Sequence, residues 1–125
     1  MINGNTEDFL DTGWFMEATL YYKGYIYWFE GFSTDDGGTC TFFVDKWRGL
    51  LTDDMYFHEY HLNDNRVDYK RVFEISGANM DTLKKAFLEA PIFEGKSFWS
   101  VESELIWVDE DTPIIINSLD EITYN

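Results

Sequence analysis

An α+β domain, with one main helix packed on a mainly antiparallel sheet of about five to seven strands, is the fold class this sequence predicts. Three observations predict it. Successive segments alternate apolar and polar residues with a period of two, and turn-forming residues separate them, as in half-buried strands. Only residues 79–90 carry a clear apolar stripe at helical spacing. Aromatic residues make up 19% of the chain, and each can bury a large area in one core.

The elements follow in order. A helical turn is expected around residues 6–11. Over residues 14–22, Trp14, Met16, Ala18 and Leu20 alternate with Glu17 and Thr19, which reads as a strand. Lys23-Gly24 turns the chain into a second strand, 25–32, because Gly24 can adopt φ > 0. On that strand Ile26, Trp28 and Glu30 share one face, and Tyr25, Tyr27 and Phe29 take the other. The run Ser33-Thr34-Asp35-Asp36-Gly37-Gly38 is a loop by its turn chemistry. A third strand, 39–47, places Cys40, Phe42 and Val44 together. Leu51-Thr52-Asp53-Asp54 turns into a fourth strand, 55–62, and Asn63-Asp64-Asn65 turns into a fifth, 66–75. There Val67, Tyr69, Phe73 and Ile75 share a face with Arg71. A cation in that row implies either a carboxylate partner or a bulge that shifts the register.

The helix begins with Asn79 as N-cap and Asp81 in the first turn, carries Met80, Leu83, Ala86, Phe87 and Ala90 on one stripe, and ends at Pro91. Lys84, Lys85 and Glu89 fall on its wet side. Residues 98–108 alternate again, with Trp99, Val101, Leu105 and Trp107 opposite Glu102 and Glu104, which reads as a strand. Residues 114–116 add a short last one. No repeat or Pro/Gly-rich linker divides residues 1–125, so a single domain is expected.

Charge is the strongest compositional signal. Twenty-four Asp and Glu face nine Lys and Arg, for a formal net charge of −15 and a pI near 4.2. Strong acidity with few aromatics reads as disorder; here the aromatics are abundant, so the charge belongs on the surface of a folded body. Nucleic acid and anionic membranes are bound through Lys and Arg, so direct binding to either is not expected. The first eight residues lack the basic-then-apolar pattern of a secretory signal, and no window reaches the roughly 18–20 apolar residues of a membrane span. A cytoplasmic, soluble protein is the expectation.

No cofactor or metal site is expected. Cys40 is the lone cysteine, which rules out an intrachain disulfide, and its strand position reads as a core thiol. In Phe57-His58-Glu59-Tyr60-His61 the histidines are three apart on a strand and so point to opposite faces, unlike the four-residue spacing of a zinc helix. They read as structural or surface histidines, with a ligand-binding or hydrolytic role for His58 and Glu59 as a distant alternative. Asp35-Asp36-Gly37-Gly38 and Asp109-Glu110-Asp111 lack calcium-loop spacing. No phosphate-binding glycine loop or nucleophile elbow is present, and an enzyme is not expected. Aromatic area at the rim of acidic loops fits a protein interface, where acidic groups steer a basic partner.

The run Trp14-Phe15-Met16-Glu17, the run Trp28-Phe29-Glu30-Gly31-Phe32, the acidic turns and the lack of a catalytic motif give the chain its character. In these it resembles the small acidic immunity proteins of bacterial contact-dependent growth inhibition and other polymorphic toxin systems. The resemblance implies a cytoplasmic inhibitor that binds a cognate toxin domain, often a basic nuclease, and blocks it sterically and electrostatically. Carboxylates standing in for phosphates would then pair with toxin Lys and Arg. The candidates on this reading are Asp35, Asp36, Asp53, Asp54, Glu102, Glu104, Asp109, Glu110 and Asp111, with Tyr27 and Trp28 as anchors. The alternative is a phage-type nucleic-acid mimic that inhibits a defence nuclease, such as an antirestriction or anti-CRISPR protein.

Overall fold

The computed structural model of the chain describes residues 1, 5–9, 11, 18–33, 38–51, 57–62, 65–108 and 114–116; for residues 33, 57, 80 and 114–116 it describes the backbone alone. The order of elements is α1 (Thr6–Asp8), β1 (Ala18–Tyr22), β2 (Tyr25–Ser33), β3 (Cys40–Leu51), β4 (Phe57–Leu62), β5 (Asn65–Arg66), β6 (Lys70–Gly77), α2 (Met80–Glu89), α3 (Phe98–Val101), β7 (Ile106–Val108) and β8 (Ile114–Ile116). The fold is α+β, and a mainly antiparallel sheet dominates it. Trp14 to Glu17, expected to open the first strand, lie outside the described residues.

β1 and β2 form the expected hairpin. Lys23 and Gly24 both take positive φ, 47° and 86°, the pair of left-handed residues a tight two-residue turn needs to match strand twist. β2 then runs antiparallel to β3 over nine residue pairs, from Tyr25↔Arg48 to Ser33↔Cys40, and β7 adds to the free edge of β1. The other edge of β3 is shared. Its first part pairs β6 and its last part pairs β4. Between them, the Val67 N–H donates to the Tyr60 carbonyl at 2.8 Å, and the Val67 carbonyl accepts from the Arg48 N–H at 2.9 Å. β8 runs parallel to β4, from His58↔Ile114 to Tyr60↔Ile116.

The expected strand 66–75 is two strands. Asp68 takes φ 57° and breaks the run, so residues 65–66 pair with β4 while 70–77 pair with β3. Arg71 fulfils both of its sequence readings at once. The register shifts between Val44 and Asp45, with Val44 opposite Phe73 and Asp45 opposite Arg71. That places Val72 as an extra residue and turns Arg71 to face a carboxylate, as a bulge does.

The expected strand 98–108 is corrected over its first half. Ser97 caps a short helix, its side chain accepting from the Ser100 N–H at 3.3 Å. Phe98, Val101 and Leu105 are buried while Trp99 is 55% exposed. Spacing of three and four residues therefore governs this stretch, and strand alternation resumes only at Ile106. Before it, Glu94 and Gly95 take φ 54° and 81°, and Phe93 and Lys96 exchange backbone hydrogen bonds at 2.9 and 3.0 Å. This tight turn hands Glu94 to Lys46 as an ion pair.

One face of the sheet is covered by the helices. Leu20, Tyr22, Tyr27, Phe29, Phe42 and Val44 project from it and meet Phe9, Phe87, Phe93, Phe98, Val101 and Leu105. Phe87 of α2 is central, edge-on to Phe29 at 5.2 Å and to Phe42 at 5.4 Å. Asn79 caps α2 as its sequence predicts, accepting from the Asp81 and Thr82 N–H groups at 3.0 and 3.2 Å. Pairs of rings in such edge-on geometry add about 0.5–1.5 kcal/mol each beyond the area they bury.

Candidate partner-binding surface

The opposite face of the sheet carries a second, smaller core of Ile26, Trp47 and Val108, with Trp28 packed against it, and around that core the side chains that neither cluster buries. Strand alternation puts Trp28, Glu30 and Phe32 of β2 on it, together with Thr41, Phe43, Asp45 and Trp47 of β3 and Arg71, Glu74 and Ser76 of β6. The cross-strand register aligns Glu30 with Phe43 and Phe43 with Glu74, so an aromatic ring lies between two carboxylates. Phe32 is 56% exposed and packs edge-on against Phe43. The Trp28 indole Nε1 donates to Glu30 Oε2 at 3.2 Å, which leaves the half-buried indole fixed beside an acid.

A continuous chain of contacts crosses this face. Asp45 is buried, and it accepts from Arg71 Nε at 2.9 Å and from the Tyr69 hydroxyl at 2.8 Å. Arg71 also donates to Glu74 at 2.9 Å and lies 4.0 Å from the Phe43 ring centre. The bond to Asp45 is the main reason its guanidinium is held even more firmly protonated than usual. Tyr69 stacks on Trp47, and Trp47 lies under the Arg66 guanidinium at 4.2 Å. Arg66 Nε is 3.4 Å from buried Glu59, whose other oxygen is 3.2 Å from His61 Nε2. His61 and Glu59, two apart on β4, share a face, as the period of the strand requires. Next to them a cleft of about 390 Å³ is lined by His61, Asn65, Arg66 and Tyr69.

Four cations of the sheet, Lys46, Arg48, Arg66 and Arg71, are thus engaged by the chain's own groups. Lys46 pairs with Glu94 and lies 4.0 Å from the Tyr25 ring centre. Arg48 pairs with Asp68 at 3.2 Å and donates to the Tyr25 hydroxyl at 3.0 Å. All nine Lys and Arg of the sequence fall within the described residues, beside thirteen of the 24 acids. The remaining eleven acids fall in stretches of sequence that hold no Lys or Arg.

The sequence-predicted residues divide accordingly. Asp35, Asp36, Asp53, Asp54, Asp109, Glu110 and Asp111 lie outside the described residues. Glu104 is exposed at the end of the turn that follows α3. Glu102 is engaged within the chain: it accepts from the Met1 ammonium at 2.6 Å and from the Thr6 hydroxyl. Those bonds hold its carboxyl below the ordinary carboxylate range. Trp28 lies on the face away from the helices, partly buried against Ile26, Trp47 and Val108. Tyr27 does not. It is wholly buried on the helix-covered face, because neighbouring residues of a strand point to opposite sides, and its ring packs 4.7 Å from that of Phe93.

Glu30 and Phe32 were legible as neighbours of Trp28 from strand periodicity alone. Phe43 and Glu74 join them only through the pairing of β2, β3 and β6. Among the described residues no group of three or more His, Cys, Asp or Glu side chains is placed to hold a metal ion, and no helix is long and apolar enough to cross a membrane. No protein family matches the chain, and no curated protein or solved structure matches it either.

Proposed function

We propose that the chain is an immunity protein that binds and neutralises a cationic bacterial toxin domain, a nuclease in the simplest case, by steric and electrostatic blockade. The observation that carries this reading is the separation of charge. Lys46, Arg48, Arg66 and Arg71 are engaged by the chain's own acids and rings, and eleven acids fall in stretches of sequence that hold no Lys or Arg. The face away from the helices supplies the second element. Phe32 and Trp28 beside Glu30, with Phe43 beneath Arg71 and next to Glu74, combine apolar anchors with acidic surroundings, the composition that gives an interface both affinity and steering. Acidic steering of this kind raises association rates by roughly one to three decades at low salt.

The test is the rate of association with the toxin domain encoded beside the gene, measured by stopped flow over a salt series. Reversing Asp109, Glu110 and Asp111 to Lys should slow association and flatten its salt dependence. Phe32→Ala should speed dissociation and leave association nearly unchanged. Protection of the toxin's substrate that is lost with these variants supports the reading. A toxin domain that stays fully active in the presence of excess protein overturns it. Binding to several unrelated DNA-handling proteins favours the nucleic-acid mimic instead.

A further inference from the structure

We propose that the cleft lined by His61, Asn65, Arg66 and Tyr69 is a binding site for a small oxyanion, a phosphate or carboxylate group. The lining is unusual for this molecule. On a chain with 24 acidic residues, none of these four wall residues is acidic; they include a guanidinium, an imidazole and a carboxamide, while the Tyr69 hydroxyl closes the wall by donating to Asp45.

Glu59 arranges the donors. It is 4% exposed and lies beneath them, taking Arg66 through Nε and His61 through Nε2. Each side chain is thereby held by one nitrogen, and the two Nη groups of Arg66 and Nδ1 of His61 have no other partner among the described residues. The Trp47 ring under the guanidinium restricts its plane further. A planar fork fixed in this way matches two oxygens of a carboxylate or phosphate at once, and donors already in place lose little freedom on binding. The charges balance as well. The Glu59 carboxylate is matched by the Arg66 guanidinium.

Long-range repulsion from the net charge opposes entry, but it is screened over about 8 Å at physiological ionic strength. Direct donor contacts therefore decide occupancy there, and a dissociation constant on the order of 1 mM is expected for a fragment-sized ion. The site stands apart from the toxin-binding reading, and either can fail alone.

The test is a titration of the isotope-labelled full chain with inorganic phosphate, and separately with acetate, followed by amide shifts near pH 6.5 at physiological ionic strength. Saturable shifts confined to His61, Asn65, Arg66 and Tyr69 are expected for at least one ion, and the tighter of the two identifies the group the site prefers. Arg66→Gln should weaken binding at least tenfold. Asn65→Asp puts a carboxylate in the wall and leaves the Glu59–Arg66 pair intact, so it should weaken binding as strongly in a chain that remains folded. Linear, unsaturated shifts with both ions overturn the proposal, and so does wild-type binding by Asn65→Asp.

Discussion

Replacing Arg71 with Met withdraws the guanidinium that closes the Asp45 site. Asp45 is 7% exposed, and in the variant its charge keeps only the Tyr69 hydroxyl of the partners described above. Removing one member of a buried ion pair costs about 3–5 kcal/mol. The Arg71 side chain is 44% exposed, so water already screens part of its attraction, and the retained Tyr69 bond lowers the cost further. We therefore expect a loss of about 2–3 kcal/mol, a large share of the roughly 5–15 kcal/mol that holds a domain together. Asp45→Asn takes away the buried charge itself and should cost only about 1 kcal/mol. In that background Arg71→Met should be nearly silent, leaving a coupling of about 2 kcal/mol between the two sites. Urea denaturation reads this directly, as a fall in midpoint at unchanged slope. A loss below about 0.5 kcal/mol, the behaviour of a solvated surface pair, would refute the reasoning. Strict additivity of the two substitutions would refute it equally.

Three further outcomes are expected. Burial first, and the charge of Glu94 second, hold the Tyr27 phenol well above its usual value of 10.0, so above that pH the unfolded chain releases a proton that the folded chain keeps. Stability should consequently fall as pH rises past 10, and Tyr27→Phe should flatten that slope; equal slopes for the two proteins in urea melts from neutral to alkaline pH would exclude Tyr27 as a contributor. A methyl group at Gly49 would meet Ile26 Cδ1 at 2.3 Å and the backbone oxygen of His58 at 3.0 Å. Gly49→Ala should cost about 1–3 kcal/mol by overpacking, and adding Ile26→Val, which deletes Cδ1, should recover part of the loss in thermal melts. Asn79→Ala removes the acceptor for two N–H groups at the start of α2. It should cost about 1 kcal/mol, and Asn79→Asp should cost far less.

Local chemistry wrote most of the fold into the sequence. The Lys23-Gly24 turn, the Asn79 cap, the Pro91 stop and the alternating faces of β2 and β3 each depend on neighbouring residues, and each is where the pattern puts it. Arg71 was legible as an anomaly, although the sequence offered a carboxylate partner or a bulge as alternatives and the structure uses both. Residues 98–101 were misread because Phe98, Val101 and Leu105 fit helical spacing while Trp99, Val101 and Leu105 fit alternation. Ser97 decides between them as a cap, a role that depends on backbone geometry. The site was less legible for a similar reason. Glu59 and His61 are adjacent on one face by period alone, but Arg66 reaches them only once the β4–β5 hairpin closes. Tyr27 was misjudged because aromatic excess says nothing about which side of a strand faces the helices.

β3 is held in register from both sides: nine pairs to β2 on one edge, and seven to β6 with three to β4 on the other. Adding or deleting a single residue within Cys40–Leu51 would turn its inward row outward along the whole segment beyond the change, and every one of those partners would lose its match together. The extra residue at Val72 is already accommodated on β6, which among the described residues pairs along one edge, with β3. Length variation among descendants of this chain is therefore expected to collect in the connections and at the sheet's outer strands, while β3 changes by substitution alone.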